Sequence, residues 1–399
     1  MLFNLFGKKK EEAKTEGQPP KESSGYLELA VRSVVKETAD AITIVFEPPE
    51  GGLPYQAGQF LTLILPVDGE EIRRSYSLCT SPAVDPYPSV TVKRVASGKV
   101  SNYLNDTLKS GDTVRMLAPM GTFTTPIDPA NQRHLVMLGG GSGITPLMGL
   151  LKSVLHQEPQ SKVSLIYANR DPSSIIFRQQ LETLTQQHPD RLHVVHVLED
   201  SGDYTEALEG RVTAERLPEL LSDLPFQASS TEYFLCGPQG MMENVRKALK
   251  NLDVPPHLIH KESFVTRKSA EASEDTVEEA ASKDDGQTAT WDSESTPGAY
   301  QTSQATVTEA HEVTIRYEGE TYNFTVEPES TILETALALD IDLPYSCQSG
   351  LCTACMGKCT SGRMKLDEED SLTEEDLKEG YVLTCVGHPL TSDVVIEIE

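Results

Sequence analysis

The sequence predicts a multidomain chain with three folded parts: an antiparallel β-barrel, a doubly wound α/β unit and a small α+β unit. Three observations carry this. Alternating apolar strands separated by Gly- and Pro-rich turns fill residues 25–128. Apolar strand, tight turn and amphipathic helix then repeat over 129–268, the pattern of a parallel sheet with helices on both faces. After a polar stretch at 269–308, a hairpin, a capped helix and a dense set of cysteines occupy 309–399. A length of 399 residues accommodates two or three domains, each with its own core.

Lys+Arg number 34 against 61 Asp+Glu, a formal net charge of −27. Such a surface argues against nucleic acid or an anionic membrane as partner and fits a basic protein partner or plain solubility. No apolar run reaches the ~18 residues of a transmembrane segment. Residues 1–24 read as a disordered N-terminus. Their apolar start precedes Lys8-Lys9-Lys10, the reverse of a secretion signal, and a weak peripheral anchor is the other reading. With no export signal and most of the seven cysteines in one region, a cytoplasmic protein is expected.

In the barrel, Leu27–Val31, Ile42–Phe46, Phe60–Leu65 and Val90–Val95 read as strands, the first two alternating as if half-buried. Two polar segments interrupt them. Arg74-Ser75-Tyr76-Ser77 places a guanidinium, an aromatic face and two hydroxyls along one strand, a set able to pair with phosphate, stack on a flat ring and hydrogen-bond its edge. Ordinary strand surface is the blander reading. Gly98-Lys99-Val100-Ser101 reads as a turn opening a short helix, whose free N–H groups suit a pyrophosphate.

In the α/β unit, the strand His134–Leu138 runs into Gly139-Gly140-Gly141-Ser142-Gly143-Ile144-Thr145-Pro146 and a helix to about His156. The glycines allow close approach of a pyrophosphate, and Thr145 and Pro146 suit the cap and first turn of the helix. The spacing is not G-x-G-x-x-G, so alone it is only a phosphate-loop hint. Strands at Val163–Ala168, Leu192–Val197 and Tyr233–Cys236 follow. Ligands of such sheets bind at the carboxyl ends of the strands, which here carry the glycine loop, Asn169-Arg170 and Cys236-Gly237-Pro238.

The C-terminal unit holds Cys347, Cys352 and Cys355 at C-x₄-C-x₂-C with Cys385 downstream. This is the ligand spacing of a plant-type 2Fe–2S cluster. Structural zinc favours two C-x₂-C pairs, and disulfides need an oxidising compartment. Cys359 reads as packing. A hairpin pairs Val313–Tyr317 with Tyr322–Val326, and Thr331-Ile332-Leu333-Glu334 is a capping box. Asp367–Asp370 and Glu374–Asp376 read either as an acidic docking face or as a solvated helix. Between Ser269 and Thr306, nine acidic residues and few apolar ones predict an acidic flexible linker.

The order of these motifs resembles a ferredoxin–NADP reductase-type flavoprotein fused to a C-terminal plant-type ferredoxin. Arg74–Ser77, Pro119-Met120-Gly121-Thr122-Phe123, the Gly139–Pro146 loop, Cys236–Pro238 and the cysteines carry the resemblance. Tyr167–Arg170 and His260-Lys261-Glu262-Ser263-Phe264 bring it near the reductase components of multicomponent oxygenases, especially those of phenylacetyl-CoA epoxidase and 3-ketosteroid 9α-hydroxylase. The resemblance implies an FAD-binding barrel, an NAD(P)-binding domain and a β-grasp 2Fe–2S domain. It assigns Arg74 to the flavin pyrophosphate, Tyr76 to the flavin face, and Ser77 to its reactive edge beside Ser75. Gly98, Val100 and Ser101 would hold phosphate. Gly139, Gly140, Gly141, Gly143 and Thr145 would hold the nicotinamide nucleotide with Cys236, Gly237 and Pro238. Phe264 would cover the flavin. A related branch uses FMN, but Pro119–Phe123 resembles the FAD branch.

The expected function is electron transfer from NAD(P)H through FAD to the cluster and on to a partner oxygenase. A stand-alone diaphorase and a redox-sensing iron–sulfur protein are the alternatives. Asn169-Arg170-Asp171 carries both an acidic residue for NADH and a cation for NADPH, with Arg178 a further cation; Arg170 tips the expectation slightly to NADPH.

Overall fold

The computed structural model describes residues 26–226, 230–262, 264, 300–301, 307–317, 319–345, 348, 350, 353–367 and 371–398. The N-terminal stretch and most of 269–308 lie outside them.

The first part contains β1 (Tyr26–Thr38), β2 (Ala41–Phe46), β3 (Phe60–Val67), β4 (Glu70–Ser77), β5 (Ser89–Lys93), α1 (Lys99–Thr107) and β6 (Thr113–Leu117). Its sheet order is β4-β3-β6-β1-β2-β5, and every pairing is antiparallel. Ile44, Leu61, Leu63, Leu78, Val90, Val92 and Leu104 are completely buried in its core. β2 departs from the half-buried expectation. Ala41 to Ile44 are all buried, because Thr43 Oγ1 on the outward face is covered by Thr91 Oγ1 and Glu37 Oε1, both 2.7 Å away.

The second part runs β7 (His134–Gly140), α2 (Ile144–Gln157), β8 (Lys162–Asn169), α3 (Arg178–Gln187), β9 (Leu192–Leu198), β10 (Leu208–Glu209), α4 (Leu217–Ser222), β11 (Thr231–Cys236), α5 (Gln239–Asn251) and β12 (Ile259–Glu262). The sheet is parallel in the order β10-β9-β8-β7-β11-β12. Successive side chains of a strand point to opposite faces. Leu135 and Met137 therefore join the core under α2, while Val136 and Leu138 join the core under α4 and α5. From β7 the chain goes first to β8 and later returns to β11 on the other side. That reversal opens a ligand crevice at the carboxyl end of β7.

Arg133 welds the two parts together. Its guanidinium is 9% exposed and donates to Thr125 Oγ1, to the Pro126 carbonyl, and to Glu158 and Glu232 at 2.8 Å each. Helix α2 seats against the barrel at Gly149, where a Cβ would lie 2.8 Å from the Thr80 carbonyl oxygen. Lys152 adds an ion pair to Asp85 at 3.2 Å.

The third part comprises β13 (Tyr300–Gln301), β14 (His311–Tyr317), β15 (Glu320–Val326), α6 (Ile332–Ala338), β16 (Met356–Ser361), β17 (Met364–Leu366), α7 (Glu374–Lys378), β18 (Tyr381–Leu383), β19 (Gly387–Pro389) and β20 (Val394–Ile398). A five-stranded mixed sheet in the order β15-β14-β20-β16-β18 packs on α6, beside a small sheet β13-β17-β19. The capping box forms as expected: Glu334 N–H donates to Thr331 Oγ1 and Thr331 N–H to Glu334 Oε2. Gly319 takes the left-handed turn of the hairpin, at φ +80°.

Two expectations are amended. β13 falls inside the stretch 269–308 read as linker and pairs in parallel with Met364–Lys365, so ordered backbone begins before 309. Asp376 is buried and accepts from the Thr373 N–H and hydroxyl, while Asp367 accepts from Lys365 and His388. Asp376 is thereby spent on local structure, whereas the Asp367 side chain stays 49% exposed; 368–370 lie outside the described residues.

Candidate active site and cluster loop

The two nucleotide motifs meet. β7 and β11 are neighbours, with Gly139 in register with Cys236. A Cβ on Gly143 would lie 2.0 Å from the Cys236 carbonyl oxygen, and one on Gly140 would lie 2.6 Å from Pro238 Cδ. A Cβ on Gly237 would lie 2.9 Å from the Gly140 nitrogen. Only hydrogen fits at these contacts, so the loop and the Cys236–Pro238 turn form one narrow backbone-lined crevice. Gly141, at φ +52°, is fixed by Tyr167, whose hydroxyl donates to its carbonyl at 3.0 Å.

Thr145 is not the helix cap. α2 starts at Ile144 with Gly143 preceding it, and the Thr145 hydroxyl donates to the Ser142 carbonyl at 3.0 Å. The 3₁₀ turn Gly141–Gly143 moves the helix start two residues earlier, to Ile144, and gives the threonine this closing role.

Cys236 is fully buried, and burial first, then the nearby Glu262 charge, holds its thiol well above the usual range. Its side chain packs as a buried, protonated group behind the crevice. Glu262 pairs with Cys236 in the β11–β12 ladder, and burial pushes its carboxyl up to about 8. Phe264, two residues on, is 37% exposed.

On the barrel side, β4 presents Arg74 and Tyr76 on one face and Ser75 and Ser77 on the other. Tyr76 packs on the barrel core and its hydroxyl is held strongly protonated by burial. Ser75 shares a hydrogen bond with the buried Thr62 at 3.0 Å, and Ser77 is buried. Arg74 turns back on the Arg73 carbonyl at 2.7 Å. α1 begins after Gly98, in extended conformation; Val100 and Ser101 are buried in its first turn. The Ser101 hydroxyl accepts from the Val95 N–H at 3.0 Å, which leaves its own O–H to donate to a phosphate alongside the backbone N–H groups of the turn.

Sequence reading missed the charged trio facing the glycine loop from the barrel. Lys93, the last residue of β5, lies 3.8 Å from where a Gly141 Cβ would be. Asp40, in the β1–β2 turn, approaches Lys93 at 3.8 Å and Arg170 at 3.5 Å. Arg170, expected at the nucleotide, is 67% exposed and stands between this carboxylate and solvent. Nothing local marks Lys93 or Asp40: their proximity to the loop comes from docking one domain on another.

In the third domain, Cys355 and Cys385 bring their sulfurs to 3.1 Å, both buried. That is beyond disulfide length and within the reach of a shared centre. The backbone supports them: Thr384 donates to the Cys355 carbonyl from both its N–H and its hydroxyl. Ser371, buried, pins the loop by donating to the Gly350 carbonyl at 2.7 Å. Cys347 and Cys352 lie outside the described residues, and among the described residues no three ligating side chains converge. The two sulfurs and the glycine at φ +71° fit the thiolate half-set that a 2Fe–2S cluster requires. Cys359 is packed in the core, as expected, with its thiol on the Ser361 carbonyl.

The cysteine loop faces the other two domains. Leu343, Pro344, Tyr345 and Ala354 line a crevice whose far wall is Thr122, Phe123, His260 and Lys261.

Residues 26–125 match the FAD-binding domain of oxidoreductases, 137–247 the oxidoreductase NAD-binding domain, and 315–390 the 2Fe-2S iron-sulfur cluster binding domain. The chain is 36% identical over 374 residues to the ferredoxin reductase component of 3-ketosteroid-9-alpha-monooxygenase from Rhodococcus rhodochrous, covering 92% of this chain and 96% of that one. It is 33% identical over 376 residues to a subunit of 1,2-phenylacetyl-CoA epoxidase from Escherichia coli (strain K12), covering 93% and 97%. Phthalate dioxygenase reductase shares the whole fold, with a TM-score of 0.50 at 23% identity over 94% of this chain and 98% of that one. Three domains in this order, and relatives of this identity over nearly the full length, make the chain a member of the oxygenase reductase-component family: an NAD(P)H-dependent flavin/iron-sulfur oxidoreductase that uses FAD and a 2Fe–2S cluster.

Proposed function

We propose that this reductase draws electrons from a nicotinamide nucleotide at the Gly139–Pro238 crevice and delivers them, through the cysteine loop, to an oxygenase component of the phenylacetyl-CoA epoxidase or a related hydroxylase kind. The observation that carries it is placement: the glycine loop meets the Cys236–Pro238 turn, and β12, the strand paired with Cys236, faces the segment before the cysteine loop across a crevice walled by Thr122 and Phe123 of the barrel. Bound there, FAD would supply two-electron acceptance from the nicotinamide and one-electron release to a cluster held by the cysteines.

The chain's own residues bind and orient. Arg74 supplies charge to the flavin pyrophosphate, with the N–H groups of Val100 and Ser101 behind Gly98 as a second cradle. Tyr76 packs on the flavin face, and Ser75 and Ser77 stand along its edge. The narrow contact of Gly140 and Gly143 with Cys236–Pro238 lets backbone meet the nucleotide phosphates, with Thr145 holding the loop shut behind them. Phe264 covers the flavin and yields to nicotinamide, which must stack at about 3–3.5 Å for hydride transfer. Cys347, Cys352, Cys355 and Cys385 hold the cluster.

No helix among the described residues is long and apolar enough to cross a membrane. A cytoplasmic location is part of this reading, supported by the need for four of the seven cysteines to remain thiolate ligands.

Cys352→Ser tests the relay. It abolishes electron delivery to the oxygenase and keeps nicotinamide-driven ferricyanide reduction, because the flavin half is intact. Loss of both activities with flavin retained refutes the division of labour.

A further inference from the structure

The seam between the nucleotide-binding domain and the ferredoxin-type domain is crossed by an ion pair of unequal exposure. Lys261, on edge strand β12, is 14% exposed and places Nζ 2.7 Å from Oδ2 of Asp342, which is 63% exposed. The same ammonium sits 5.8 Å from the centre of the Tyr317 ring, and 3.4 Å from the Asp342 carbonyl oxygen. Asp342 belongs to the segment Ile341–Tyr345 that runs directly into the cysteine loop, and Lys261 precedes Glu262 at the active crevice.

Charge makes this contact matter. Most of the excess acid sits on the third domain, with 20 Asp+Glu against 5 Lys+Arg over 309–399, so a positive spot on the seam attracts it. Arg246 on α5 reinforces the spot: its field acts on Tyr317 and Tyr322 across the seam and on Lys261 beside it, with Glu243 of the same helix opposing. Burial pulls the Lys261 pKa down and Asp342 pulls it back up, so the lysine depends on a counter-charge from the other domain. The exposed aspartate side leaves the pair open to screening by salt.

We propose that Lys261 and Asp342 form an electrostatic latch, a pair of positioning residues that hold the cluster-bearing domain against the flavin–nucleotide junction and release it as ionic strength rises. The inference rests on the relay reading above and adds what governs its internal step. A latch of this modest strength suits a domain that has two positions to serve, since a fully buried pair would trap it in one.

The test uses the full-length holoprotein and four variants: Asp342→Asn, Asp342→Lys, Lys261→Met, and the exchange Lys261→Glu with Asp342→Lys. Rapid mixing with NAD(P)H follows flavin bleaching and cluster bleaching separately, and small-angle scattering follows the radius of gyration against salt. Flavin reduction in the Asp342 variants should match wild type. Cluster reduction at low salt should slow about fivefold in Asp342→Asn, the scale of a partly exposed ion pair, and further in Asp342→Lys. Raising salt should bring wild type down to the Asn variant's rate and up to its radius of gyration, and the exchange should recover most of both. Should the Lys261 variants misfold, the exposed-side Asp342 variants decide alone. Wild-type cluster rate and wild-type, salt-sensitive radius of gyration in Asp342→Asn overturn the latch. A wild-type cluster that never bleaches after the flavin overturns the relay instead, while scattering still judges the latch.

Discussion

Arg170 is bound weakly to Asp40, at 3.5 Å and with most of its side chain in water, so its charge is available to an incoming anion. A nucleotide carrying a 2′-phosphate gains this cation; one without it gains little. Arg170→Ala should therefore raise the Michaelis constant for NADPH much more than for NADH, and equal effects in steady-state kinetics would remove the residue from nucleotide choice. Glu262 yields a prediction in pH. Its folded carboxyl titrates at about 8 against an ordinary 4.5, so the folded protein holds a proton that the unfolded chain gives up. That contribution to stability is complete below pH 4.5 and is lost as pH rises through 8. Glu262→Gln keeps the shape without the ionisation. Its melting temperature should gain on wild type progressively from pH 5 to pH 8, and parallel curves would place the charge of Glu262 elsewhere. The residue stands inside a motif that sequence reading quoted, yet only the β11–β12 ladder sets it beside Cys236.

At the level of elements, the strands and helices were legible because their signals are local. The expected strand at Val163–Ala168 is β8, and the capping box at Thr331 opens α6 with both of its hydrogen bonds. Where the reading slipped, a local turn or hydrogen bond had won over the pattern. Thr145 has a cap's chemistry, but the 3₁₀ turn before it hands the helix start to Ile144. Asp376 belongs to an acidic run, but it is buried in the first turn of α7, where it accepts from the N–H of Thr373 just before the helix. Arg133 shows what element packing costs to break. It joins the barrel exit, α2 and β11, and its partner Glu158 is completely buried. Arg133→Met leaves that carboxylate without its cation, a loss of about 3–5 kcal/mol. The denaturant midpoint of the nucleotide-binding part should fall accordingly, and a second substitution, Glu158→Leu, should recover much of it. A single variant with an unchanged midpoint would deny Arg133 this role.

For the whole molecule, we propose that the acidic stretch from Ser269 to β13 is a tether that sets how far the cluster-bearing domain travels. With Tyr300–Gln301 paired to β17, the stretch ends at β13; treated as a coil of ~31 residues from Ser269, it spans about 28–33 Å and keeps the two centres at an effective concentration of order millimolar. Deleting about half of it should leave flavin reduction by NAD(P)H unchanged and slow turnover with the oxygenase, because the domain no longer serves both docking positions. Rates for both steps within error of full length would make the stretch a passive insertion, which chain entropy tolerates. The latch and the tether act on one equilibrium: the tether sets how often the domain returns, and Lys261–Asp342 sets how long it stays.

The three domains, their order, the cysteine set and the glycine turns can all be read from the chain without its fold. Each of these is written in short-range spacing: period two in strands, C-x₄-C-x₂-C in the loop, Gly and Pro where backbone must turn tightly. Which distant residues meet is settled only when the domains dock. The fit of Gly143 against Cys236 requires β7 to lie beside β11, and the Asp40–Lys93–Arg170 trio requires the barrel to dock on the α/β sheet. Lys261 finds Asp342 only because the third domain folds back across 81 residues of chain. Such pairs leave no local trace, since the energy that joins them comes from burying whole faces of domains and not from any preference carried by the residues themselves.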